Sequence, residues 1–65
     1  MAKFIEVTGY GDEKFFVNVD NILWIEPYKA EDGSIIYMPV PDKRDYPVSL
    51  IVKESYAQVI EMIAR

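Results

Sequence analysis

The sequence predicts a mainly β (α+β) domain: a small five-stranded antiparallel barrel or strongly bent sheet with one C-terminal helix. Three observations carry this. Upstream of Ser55 the apolar residues come in short strand-like runs separated by Gly, Asn, Asp and Pro. Downstream, Tyr56, Val59, Ile60 and Ile63 fall on one helical face. Between the two, Ser55-Tyr56-Ala57-Gln58 fits the capping box, in which the Ser hydroxyl accepts from the N3 backbone N–H and the Gln side chain reaches back. The chain of 65 residues makes a single domain, 1–65, with its helix at 55–64.

The elements follow in order. Phe4–Thr8 is a first strand, with Ile5 and Val7 on one face and Phe4, Glu6 and Thr8 on the other. Gly9-Tyr10-Gly11-Asp12 is a turn whose glycines are free to take positive φ. Lys14–Val19 is a second strand, presenting Phe15, Val17 and Val19 to one side and Lys14, Phe16 and Asn18 to the other. Asn18-Val19-Asp20-Asn21 favours a single helical or 3₁₀ turn, because Asn and Asp compete for backbone hydrogen bonds. A third strand, Ile22–Tyr28, and a fourth, Ser34–Met38, are joined at Glu31-Asp32-Gly33 by a hairpin turn of the Asp-Gly kind. Pro39, Pro41 and Pro47 bracket a polar stretch, which reads as loop because proline lacks the N–H a central ladder needs. The fifth strand, Val48–Val52, turns Val48, Leu50 and Val52 inward.

Composition narrows the function. There is no Cys and no His, which removes disulfides, zinc fingers, haem attachment and the Ser-His and Cys-His nucleophile systems. The net charge is −4, and Lys43-Arg44 is the one adjacent basic pair, so binding to a phosphate backbone is disfavoured. No apolar run approaches the roughly 20 residues of a membrane helix, and Met1-Ala2-Lys3 leads straight into a strand without a signal peptide. The expectation is a cytoplasmic protein with no membrane insertion.

Hydrophobic residues make up 51% of the chain and aromatics 14%, more than one inner face of so small a sheet can hide. A domain of this length buries only about 60% of its unfolded surface, and association is the remaining way to steady it. Strands three and four both lack a polar face. Phe16, Trp24, Tyr28, Ile36 and Met38 are therefore the candidate interface of a homo-oligomer or of a complex with another protein. The competing account makes most of them core residues of a tightly closed barrel.

Other patterns carry less. Glu31, Asp32, Asp42 and Asp45 lack the spacing of a calcium loop and read as solvated charges. Tyr10, Tyr28, Tyr37, Tyr46 and Trp24 could form a stacking platform for single-stranded nucleic acid, but acidic rather than basic residues neighbour them. Gly9-Tyr10-Gly11 lacks the helix and lysine of a phosphate loop. Glu6, Glu13 and Glu26 are the carboxylates that might converge on a sheet face, without a predictable cleft. Glu54 adjoins the positive end of the helix dipole, a structural place. The expected protein is not an enzyme and takes no cofactor or metal.

Two blocks of the chain resemble the FlbD/SwrD family of small flagellar proteins. The first is Val7-Thr8, then Phe15-Phe16-Val17-Asn18-Val19-Asp20-Asn21-Ile22, running to Trp24-Ile25-Glu26. The second is Ile51-Val52-Lys53-Glu54-Ser55 followed by Val59-Ile60 and Ile63. The likeness covers roughly residues 4–26 and 48–63. The segment Pro27–Pro47 is longer than the family's compact connection, and Gly11-Asp12 stands in place of its Asn-Gly turn. The resemblance implies a non-enzymatic cytoplasmic accessory linked to motility, without a cofactor and without binding residues to transfer. A small-barrel nucleic-acid-binding protein is the alternative.

Overall fold

The computed structural model describes residues 3–40 and 43–65, with the side chains of all of these except 40 and 43–46. The elements run β1 (Phe4–Thr8), β2 (Lys14–Asn18), a 3₁₀ turn (Val19–Asn21), β3 (Trp24–Tyr28), β4 (Gly33–Val40), β5 (Lys43–Val52) and α1 (Tyr56–Ala64). All strand pairing is antiparallel. β1 and β2 form one hairpin, and β3, β4 and β5 form a three-stranded sheet in that order. The two ladders meet at an isolated Gly9–Val52 bridge, beside which the Lys53 N–H donates to the Thr8 carbonyl at 2.7 Å. Among the described residues the strands do not close into a barrel.

Alternation builds the core. The register Ile5↔Val17 and Val7↔Phe15 puts one apolar face of the hairpin inside. Ile25↔Ile36 and Ile36↔Leu50 do the same across the three-stranded sheet. Ile5, Val7, Val17, Ile36, Val52 and Val59 are the buried apolar centre, with Phe15, Ile25, Met38, Leu50, Met62 and Ile63 packed partly around it. Of the expected helical face, Val59 and Ile63 turn inward with Met62, while Tyr56 and Ile60 face out.

Two expectations are corrected. Where a loop from Pro39 to Pro47 was expected, Pro39 and Val40 end β4 and Lys43 to Pro47 open β5. Pro39 is tolerated because it falls at a register shift between Met38 and Val40, and Pro47 because β5 is an edge strand of its sheet. Pro27 sits on the other edge strand, β3. Pro41 and Asp42 lie outside the described residues, as do the side chains of Lys43, Arg44, Asp45 and Tyr46. The first turn uses no glycine with positive φ. Asp12 takes that conformation instead (φ 66°), as Asp32 does (φ 58°) before β4. Gly33 is needed for closeness: a Cβ there would stand 2.1 Å from the Val52 carbonyl oxygen.

The helix start is as the capping pattern predicts. Ser55 Oγ accepts from the Gln58 N–H at 3.2 Å, and Gln58 Oε1 accepts from the Ser55 N–H at 2.8 Å. The preceding residue ties the two sheets together. Glu54 Oε1 accepts from the Thr8 N–H at 2.8 Å and Oε2 from the Thr8 hydroxyl at 2.9 Å. The Glu54 carbonyl accepts from the hydroxyl of Ser34, the one fully buried polar side chain among the described residues.

Candidate interaction surfaces

The predicted interface residues do not form one surface. Ile36 is fully buried, and this corrects its place as an interface candidate. Apolar residues alternate on both faces of β4, so either face could have been the inner one. The register with Ile25 and Leu50 decides for Ile36, leaving Ile35 and Tyr37 on the outer side. The other four candidates separate into three places.

Phe16 and Met38 belong to an apolar cleft of about 450 Å³ between the two sheets. Its lining comes from β1 and β2 (Phe4, Phe15, Phe16, Val17) and from β4 and β5 (Met38, Val48, Leu50). Phe16 is 70% exposed and Phe4 58%, which for phenylalanines in so small a domain is a heavy exposure of apolar area. Phe4 and Phe16 share the outward face of the hairpin, since Phe4 pairs with Asn18 and Glu6 with Phe16. Val48 was expected inward and shares that face with Leu50, but at the sheet's end it is 46% exposed.

Trp24 belongs to a different place, the outer face of the three-stranded sheet. It pairs across the ladder with Tyr37, and the rings stack at 4.4 Å between centroids and 20° between planes. Glu26, two residues along β3 and therefore on the same face, bridges them. Its Oε2 accepts from Trp24 Nε1 at 3.1 Å and its Oε1 from the Tyr37 hydroxyl at 3.4 Å. Burial and then the Glu26 charge push the Tyr37 phenol above its ordinary value. Ile35 and Ile51 continue this face, Ile51 being exposed.

Tyr28 forms the third place. It meets Tyr10 edge-on at 6.1 Å, and the Tyr10 hydroxyl donates to the Glu31 carbonyl at 3.3 Å. Tyr28 and Tyr56 also flank a shallow hollow beside the start of α1. Among the described side chains the tyrosines and the tryptophan of the possible stacking platform thus fall into two separate pairs, Tyr10 with Tyr28 and Trp24 with Tyr37, while the side chain of Tyr46 lies outside the described residues.

The Lys53 ammonium donates to Asp12 Oδ1 at 2.5 Å, which holds the Asp12 carboxyl below its ordinary value and the Lys53 ammonium above its own. Glu6, Glu13 and Glu26 occupy different elements, and Glu13 accepts from the Gly11 N–H in its own turn. Among the described residues no group of acidic side chains is arranged to hold a metal ion, and no helix is long and apolar enough to cross a membrane.

Sequence reasoning left Phe4, Tyr37 and Glu26 out of the candidate interface, although Tyr37 stood in the possible stacking platform and Glu26 among the carboxylates of a sheet face. Alternation had already placed Phe4 outward. The partnership of Trp24 with Tyr37 depends on a β3–β4 register that the two-faced apolar pattern leaves open. No family model, no curated protein and no solved structure matches this chain.

Proposed function

We propose that this protein is a small, non-enzymatic interaction module that associates with a second copy of itself through the cleft between its two sheets. The observation that supports this best is the exposure of Phe16 and Phe4 at the rim of an apolar cleft floored by Phe15, Met38 and Leu50. Isolated exposed apolar residues are ordinary, whereas a contiguous patch around a groove is characteristic of association sites. The fully buried core is small for the number of apolar residues present. A partner inserted at the open end would complete the closure that a barrel achieves with its own strands. The likeness to the FlbD/SwrD family points the same way, towards a cytoplasmic accessory of a larger motility-related assembly. Sedimentation equilibrium from about 5 to 500 μM tests the association, a range that brackets the micromolar affinity of modest interfaces. A concentration-dependent dimer that Phe16→Glu converts to monomer is the expected result. A monomer at every concentration overturns the reading.

Nucleic-acid binding is the second reading, favoured by the exposed Trp24 ring stacked on the half-buried Tyr37. The carboxylate of Glu26, held at the polar edges of the two rings, opposes a phosphate-bearing ligand. Retention of single-stranded DNA or RNA at about 50 mM salt, where electrostatic attraction is strong, would restore it.

A further inference from the structure

We propose that Trp24, Glu26 and Tyr37 together form a receptor for an arginine side chain presented by a partner protein. This inference stands independently of self-association, because it concerns the outer face of the three-stranded sheet rather than the cleft.

Glu26 accepts hydrogen bonds from an indole N–H and a phenol O–H, one on each oxygen. Both donors are neutral, so they fix the carboxylate in orientation without cancelling its charge. Each oxygen keeps a further lone pair. The ion pairs among the described residues are Lys53–Asp12 and Arg65–Glu61, and neither involves Glu26. Among the described side chains the sheet face around it is otherwise apolar or neutral: Trp24, Tyr28, Ile35, Tyr37, Ser49 and Ile51 occupy the outward register positions. A single oriented negative charge is therefore set in an aromatic and aliphatic surface.

The ring geometry selects the cation. Trp24 lies nearly parallel to Tyr37, so one indole face is covered by the phenol ring, yet the residue remains 46% exposed. Guanidinium is planar, stacks on aromatic faces and meets carboxylates in a two-pronged fork. An ammonium group is a point charge that gains less from the plane. Access is also provided, since β3 is an edge strand and an extended segment can run beside it. The chain itself is acidic, at −4, so a basic partner would be drawn towards it over a longer range.

Trp24 is the single tryptophan of the chain, so its indole N–H gives one unambiguous cross-peak in a ¹⁵N-correlated NMR spectrum. The probes are capped Ala-Arg-Ala, Ala-Lys-Ala and Ala-Gln-Ala amides, titrated at low salt to ~10 mM, a range suited to a single-side-chain contact. The expected result is a saturable shift of the Trp24 indole peak with the arginine peptide, a weaker one with lysine and none with glutamine. Glu26→Gln keeps the shape of the side chain and should weaken the arginine response by about tenfold, the scale of a charge-assisted hydrogen bond. Tyr37→Phe keeps the stack and should weaken it less. Unchanged melting temperatures in both variants separate loss of binding from loss of fold. Equal shifts with arginine and glutamine peptides, or an arginine response that Glu26→Gln leaves intact, would overturn the proposal. So would an indole peak that moves only with protein concentration, because the face would then be occupied by another copy of the chain.

Discussion

Single side chains show how this domain joins elements that its alternation alone would leave apart. The Asp12–Lys53 pair links the first turn to the segment before the helix, and its pH behaviour follows from the directions of the two shifts. Asp12 has a lowered value when folded, so its contribution is present above the unfolded value near 3.9 and disappears as pH falls through the folded one. Lys53 has a raised value, so its contribution is present below about 10.4 and disappears as pH rises through the folded one. The difference in melting temperature between the native protein and Asp12→Asn should therefore narrow as pH is lowered below about 4. A difference that stays constant from pH 7 to pH 3 would show that the pair does not contribute. Ser34 presents the opposite case, a fully buried hydroxyl whose partner is the Glu54 carbonyl at 2.7 Å. Ser34→Ala removes the donor and leaves that carbonyl unsatisfied, which should cost about 1–3 kcal/mol in a denaturant melt. An unchanged midpoint would mean that water or a local shift takes the place of the hydroxyl. Neither contact could be read from the chain, since each joins residues far apart in sequence with no pattern to relate them.

The separate elements were largely legible, and the exceptions have physical causes. β1, β2, the 3₁₀ turn and α1 emerge within a residue or so of their expected bounds. Their signals are local: period-two alternation, an Asn-Asp turn and a capping box. Ser55→Ala should accordingly lower stability by about 1 kcal/mol, the ordinary cost of losing an N-cap, and thermal or urea unfolding measures it. A loss far below this would mean that packing of Val59 and Ile63 alone sets the helix start. The prolines misled because a rule about central ladders was applied to positions that escape it, namely a bulge for Pro39 and an edge strand for Pro47. The left-handed positions were assigned to glycines, yet Asp12 and Asp32 occupy them, a conformation that short polar side chains tolerate. The inner face of β4 was legible only as a choice between Ile36 and its neighbours, and long-range register made that choice.

For the molecule as a whole, the excess of apolar residues was visible in the composition, but its distribution was not. The sequence suggested one continuous second face. The structure divides it into a cleft at Phe4 and Phe16 and a sheet face at Trp24 and Tyr37, with Ile36 withdrawn into the core. Two surfaces of different chemistry allow two kinds of contact at once. Phe16→Glu should abolish association while leaving the Trp24 indole peak in place, and Glu26→Gln should leave the sedimentation profile unaltered. Failure of this separation in both variants would show that the surfaces act as one.

The seam at Gly9, Val52 and Lys53 has a consequence for how the chain acquires its shape. Each hairpin can zip from its own turn, but the halves become one body only when residues near opposite ends of the chain meet. Closing so wide a span is slower than zipping either hairpin. Under Gly33 the neighbouring carbonyl leaves no room for a methyl group, so the joint tolerates little misfit. Refolding should therefore be governed at that stitch, and the Lys53 amide should be among the last to exchange its hydrogen with solvent.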